Sequence, residues 1–75
     1  SYRRAYDSTL KRVEAVFTQI KGRPSIGELT LARAWMITDN PLLGNVSPVS
    51  MIAHGRSNRL NKFISECEEN NTPWG

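Results

Sequence analysis

Apolar side chains in the first twenty residues fall at Tyr6, Leu10, Val13, Phe17 and Ile20, with Val16 beside them. Steps of three and four place these positions along one side of a helix, so the spacing predicts an amphipathic helix from about Tyr2 to Ile20. Lys21-Gly22 followed by Pro24 supplies a stop. Ser25-Ile26-Gly27-Glu28 has the form of a capping box, in which the serine hydroxyl bonds forward and Glu28 reaches back to the Ser25 amide. A second helix is predicted from there to about Ile37, with Trp35 and Met36 as its last buried turn after Leu29, Leu31 and Ala32. Gly27 lowers its stability by about 1 kcal/mol relative to alanine, a cost that a close packing contact would explain. Towards the other end Leu60, Phe63, Ile64 and Cys67 stand at i, i+3, i+4 and i+7, the clearest amphipathic signal in the chain. They predict a helix over Ser57 to Glu69, with Arg56, Asn58, Arg59 and Lys62 off the apolar stripe.

Between these elements lies the stretch DNPLLGNVSPVSMIAHGR. Asp39-Asn40-Pro41 ends the second helix: Asp and Asn bond their own backbone in turns, and Pro41 pushes Asn40 towards an extended conformation. Leu42 and Leu43 put two apolar side chains into a polar connection, as expected of a loop pinned to the core. Gly44-Asn45 marks a position where positive φ is expected. Ser47-Pro48 carries the residue types of a helix start, a hydroxyl acceptor and a proline pre-set at the first helical position. One or two turns through Met51-Ile52-Ala53-His54 follow, with Gly55 as a left-handed cap. The last residues, 70–75, read as a flexible polar tail in which Trp74 either folds back over the core or stands exposed as an interface anchor beside Pro73. No strand alternation, repeat or sustained heptad run is present. The reading is all-α: a small bundle of about four helices, one of them short, without a sheet.

At 75 residues the chain makes one domain, and such a chain buries only about 60 to 65% of its unfolded surface. A composition 39% apolar and 23% charged is that of a globular protein rather than a disordered one. The single cysteine, Cys67, excludes an internal disulfide and a cysteine-rich zinc site and fits a reducing cytoplasm. No apolar run approaches the roughly 18 residues of a membrane span, and the basic start lacks the apolar segment of a signal peptide. The chain does not begin with methionine, which leaves room for a segment before Ser1. Its net charge of +3 is unevenly spread: six basic residues to two acidic ones up to Arg23, and three acidic residues among the four from Glu66 to Glu69. The basic start suits a nucleic-acid face, or equally a solvated helix surface, since neither aromatic interleaving nor a helix-turn-helix pattern accompanies it. The acidic end sits where helix carbonyls already supply negative charge, a misfit of about 0.3 to 1 kcal/mol that a basic partner would relieve and fraying would avoid.

Candidate chemistry is sparse. His54 and Cys67 lie on different expected helices and Cys67 is on the buried stripe, so a nucleophile pair is not indicated, and His54 suits bonding the last carbonyls of its own short helix. Two soft ligands and scattered carboxylates make no metal set, and no glycine-rich phosphate loop is present. No cofactor, no metal and no enzymatic activity are expected.

The segment from Trp35 to Arg56, followed by an amphipathic helix, resembles the toxin-binding domain of the Xre/MbcA/ParS-like antitoxins. Trp35, Met36, Thr38, Asn40, Leu43, Gly44, Ser47, Pro48, Ile52, Gly55 and Arg56 fall in register with that family's pattern. The match covers about Leu29 to Cys67. Asp39 stands in place of the usual proline and Asn45 in place of a second glycine, and the family's Ile-Glu-His-Gly ending is missing. Residues 1–24 then form a generic basic helix and 25–69 the family-like core.

The resemblance implies a bacterial or phage antitoxin that binds a RES-domain, NAD-consuming toxin and covers its active-site cleft. It points to the Gly55-Arg56 corner, the exposed face of the last helix and the tail, hence to Arg56, Asn58, Arg59, Lys62, Pro73 and Trp74 as partner contacts. Trp35, Asn40, Pro41, Leu43, Gly44, Ser47, Pro48, Gly55, Leu60, Phe63, Ile64 and Cys67 would be the frame. The family's helix-turn-helix domain is not seen in this chain. Two other readings stand beside it: a small basic nucleic-acid-binding module, and an interaction or homodimerisation domain of a larger protein.

Overall fold

The computed structural model describes residues 1–21 and 26–75. Among these residues it contains four α-helices, α1 (Tyr2–Lys21), α2 (Ile26–Ile37), α3 (Pro48–Ala53) and α4 (Ser57–Asn70), and a single 3-10 turn over Pro41–Leu43. No strand occurs among them; one isolated bridge joins Asn40 and Val46. The all-α reading is therefore the structure. None of these helices is long and apolar enough to cross a membrane. The expected stop at Gly22-Pro24 and the Ser25 end of the capping box lie outside the described residues.

The core is built from Val13 and Val16 of α1, Ala32 and Met36 of α2, Leu43, Met51 and Ile52, and Leu60, Ile64 and Cys67 of α4. Met36, Met51, Leu60 and Ile64 are almost wholly removed from water, and burying a side chain of this size is worth about 1.5 to 3 kcal/mol. α1 packs against each of the other three helices.

Two expected core positions are instead at the surface, Ile20 at 52% and Leu31 at 45% exposure, and Ile37 at the end of α2 is 69% exposed. On α1 the inward arc runs through Thr9, Val13 and Val16, one step round from the line through Leu10 and Phe17, so the last turn carries Ile20 out. α2 is apolar on both sides, and Ala32 and Met36 take the inner one.

The α2–α3 connection closes on Asn40. Its backbone is extended, with φ −117° and ψ 118°, as the following proline requires. Its side chain accepts from the Leu42 amide at 2.9 Å, its carbonyl accepts from Leu43 and Asn45, each at 2.9 Å, and its amide donates to Val46 at 3.0 Å. Gly44 and Asn45 both take positive φ, 83° and 63°, which lets the chain reverse within the ring of bonds. Leu43 is thereby turned into the core, whereas Leu42, also expected to be pinned, points outward at 55% exposure. Ser47 caps α3, accepting from the Ser50 amide at 3.2 Å, with Pro48 at the first helical position. Gly55, at φ 73°, ends that helix: its own amide donates to Ile52 and that of Arg56 to Met51, the paired bonds of a Schellman cap.

The C-terminal residues, expected to form a flexible tail, are docked. α4 ends at Asn71 in the left-handed region, with the Thr72 amide donating to the Cys67 carbonyl at 3.1 Å. Pro73 is buried, its carbonyl accepts the Trp35 indole N–H at 3.2 Å, and Gly75 lies against the Phe63 ring.

Candidate functional site

Trp35 and Phe63 stack with ring centroids 6.4 Å apart and planes 14° from parallel. This pair divides the surface that α2, the 3-10 turn, α4 and the tail share. On the Trp35 side an open cleft is lined by Trp35, Thr38, Asp39, Asn40, Pro41 and Trp74. On the Phe63 side a second concavity is lined by Leu42, Leu43, Arg59, Lys62, Phe63 and Glu66. Adjacent Pro41 and Leu42 connect the two, so the turn is the ridge between them. The Asn40-centred bonds hold that ridge, and the stacked rings hold its base.

Of the expected contact residues, Arg59 and Lys62 thus share one concavity, and Trp74 lines the other. Trp74 is 71% exposed because the tail docks through its neighbours Pro73 and Gly75. Pro73 is a correction: expected at the partner surface, it is buried and its role is to hold Trp35. Arg56 stands apart, lining a shallow hollow with Val46, Ser50, Met51 and His54. Asn58 is exposed on the first turn of α4 and lines neither of the two concavities beside the ring pair. Among the described residues the ion pairs are Arg3–Asp7 and Arg12–Glu68, so Arg56, Arg59 and Lys62 hold no carboxylate.

The residues expected to form the frame are placed as follows. Leu43, Ser47, Pro48, Leu60, Ile64 and Cys67 are buried, Gly44 and Gly55 are left-handed, and Trp35 and Phe63 are half-buried in the stack.

Arg12 makes the interhelical contact least legible in the sequence. Counted within a basic face, it reaches across to α4 instead, with Nε on Glu68 Oε2 at 3.1 Å and Nη2 on Oε1 at 2.8 Å. Its guanidinium also donates to Asn61 and Ser65, each at 3.2 Å. The hydrogen bonds from Arg12 hold the Glu68 carboxyl below its ordinary range, and the same contacts raise the arginine. A helical 3–4 spacing within α4 would have flagged Asn61, Ser65 and Glu68 as one face, but nothing local points to their partner.

His54 Nδ1 donates to the Ser50 carbonyl at 2.8 Å, the local role expected of it. Burial pushes the Cys67 thiol up, offset in part by a backbone hydrogen bond from Gly75. No group of three or more His, Cys, Asp or Glu side chains among the described residues is placed to hold a metal ion.

Comparison of the chain with protein-family models, with curated proteins and with solved structures found no match.

Proposed function

We propose that this chain is a protein-binding module of the antitoxin type, which neutralises a RES-type, NAD-consuming enzyme by covering its active-site cleft. The observation that carries this reading is the double role of the resembling positions. Asn40, Gly44, Ser47, Pro48 and Gly55 are the residues that set the backbone between α2 and α4, and that backbone carries a surface of uncommitted basic and aromatic side chains. Arg59 and Lys62 beside exposed Leu42, with Trp74 across the ridge, give the mix of apolar anchor and charge from which interface hot spots are made. In this reading the module acts in the bacterial cytoplasm, needs no cofactor and catalyses nothing itself. A nucleic-acid-binding role is less favoured: of the basic residues along α1, Arg12 is held by α4 at its Glu68 carboxylate, and Arg3 shares an exposed pair with Asp7 at 3.2 Å.

The test mixes the purified chain with a RES-type enzyme encoded beside it. Co-elution on size exclusion and loss of NAD consumption at micromolar concentration are expected. An enzyme that stays active and elutes alone overturns the reading.

A further inference from the structure

Both tryptophans of the chain, Trp35 and Trp74, line the cleft beside the 3-10 turn. Trp35 has one ring face on Phe63 and its N–H on the Pro73 carbonyl. Trp74 is not stacked on it: among the described residues the ring pairs in contact are Tyr2 with Tyr6 and Trp35 with Phe63. The two indoles thus line the cleft without closing it.

The formal charge of the lining is one-sided, Asp39 being its one ionisable side chain. The Thr38 hydroxyl donates to the Ala34 carbonyl at 2.6 Å, the Asn40 amide to Val46 at 3.0 Å, and the Trp74 amide to the Thr72 hydroxyl at 3.3 Å. Those donors are spent; the Asn40 side-chain amide and the Trp74 indole N–H donate to no described residue, and the exposed Asp39 carboxylate, the one charged group of the lining, holds no cation among the described residues. The charge offered is thus a negative one next to aromatic faces, which attracts a cation and disfavours carboxylates and phosphates. A guanidinium meets both features at once, because it is planar enough to stack on an indole and carries N–H groups for a carboxylate.

We infer that the Trp35–Trp74 cleft receives an arginine side chain presented by a partner protein, with the guanidinium stacked on Trp74 and donating to Asp39. The inference stands whatever that partner is, and its test needs none. Because both tryptophans line the cleft, intrinsic fluorescence of the whole chain reports on it directly. The probe is acetyl-Gly-Arg-Gly-amide, set against the citrulline peptide of the same shape without charge, and against oligoproline, the other common occupant of aromatic grooves. A saturable change with the arginine peptide alone is expected, weakening as salt is raised. Asp39→Asn and Trp74→Ala alter exposed side chains, and circular dichroism confirms their folding. Each is expected to weaken binding roughly fivefold, with Trp35 still reporting in the second variant. No saturable change, an equal response to citrulline, a response to oligoproline alone, or unaltered affinity in either folded variant overturns the inference.

Discussion

Arg12 and Glu68, 56 residues apart in sequence, form a two-pronged ion pair whose shorter contact is 2.8 Å. It ties the middle of α1 to the last turns of α4 and supplies, from within the chain, the positive charge that the acidic end of that helix calls for. The guanidinium's further bonds to Asn61 and Ser65 make it a clamp along one face of α4.

Since the pair holds Glu68 below its ordinary carboxyl value of 4.5, the folded chain takes up this proton less readily than the unfolded one. The stabilisation is therefore present above that value and is lost as pH falls through the lower folded-state value. Glu68→Gln is expected to lower stability by about 0.5 to 1 kcal/mol near neutral pH, a figure kept small by solvent screening. Arg12→Met, which forfeits the Asn61 and Ser65 bonds too, should cost about 1 to 2 kcal/mol. Urea unfolding at about pH 7 and at successively lower pH checks both, the Glu68→Gln difference shrinking as the carboxyl takes up its proton.

The Trp35 indole N–H is the polar fastening of the tail. Trp35→Phe keeps the stack on Phe63 but removes the donor to Pro73, and is expected to cost about 1 kcal/mol. Amide exchange read residue by residue should show faster exchange at Thr72 and Trp74 in this variant, with the amides of α3 unchanged.

Gly44 and Gly55 both stand at positive φ with open space where a Cβ would go. Alanine at either is expected to cost about 1 kcal/mol from backbone strain alone. Gly75 differs, because a Cβ there would meet Phe63 Cε1 at 3.0 Å. Gly75→Ala should therefore displace the tail, read as a change in the near-ultraviolet circular dichroism that the other two variants do not show.

Arg59→Glu with Lys62→Glu reverses charge at two exposed positions of α4 and should leave thermal unfolding nearly unaltered. If the antitoxin reading holds, affinity for the RES-type enzyme falls at least roughly tenfold; unchanged binding would move the contact to another face.

The elements were legible because their signals are local. Leu60, Ile64 and Cys67 on a 3–4 rhythm, Ser47-Pro48 at a helix start and Gly55 at a helix end each express a constraint satisfied within a few residues. Two things were not. α2 carries apolar residues on opposite sides, so its rhythm alone cannot say that Ala32 and Met36 face inward while Leu31 and Ile37 face out; α1 and α3 decide that. The site was harder still, because the Arg12 clamp, the burial of Pro73 and the gathering of both tryptophans around Pro41 join parts of the chain that carry no mark of one another. Exposure at Trp74 was one of two open alternatives, and only the docking of Pro73 and Gly75 on either side of it selects between them.

The ring of hydrogen bonds around Asn40 bears on how any visitor is received. With amide, carbonyl and side chain of one residue all committed inside seven positions, the ridge holds its shape before anything arrives. A molecule seating on it meets a ready-made template, so none of the association energy is consumed in ordering that segment, and its backbone should superpose between free and occupied forms.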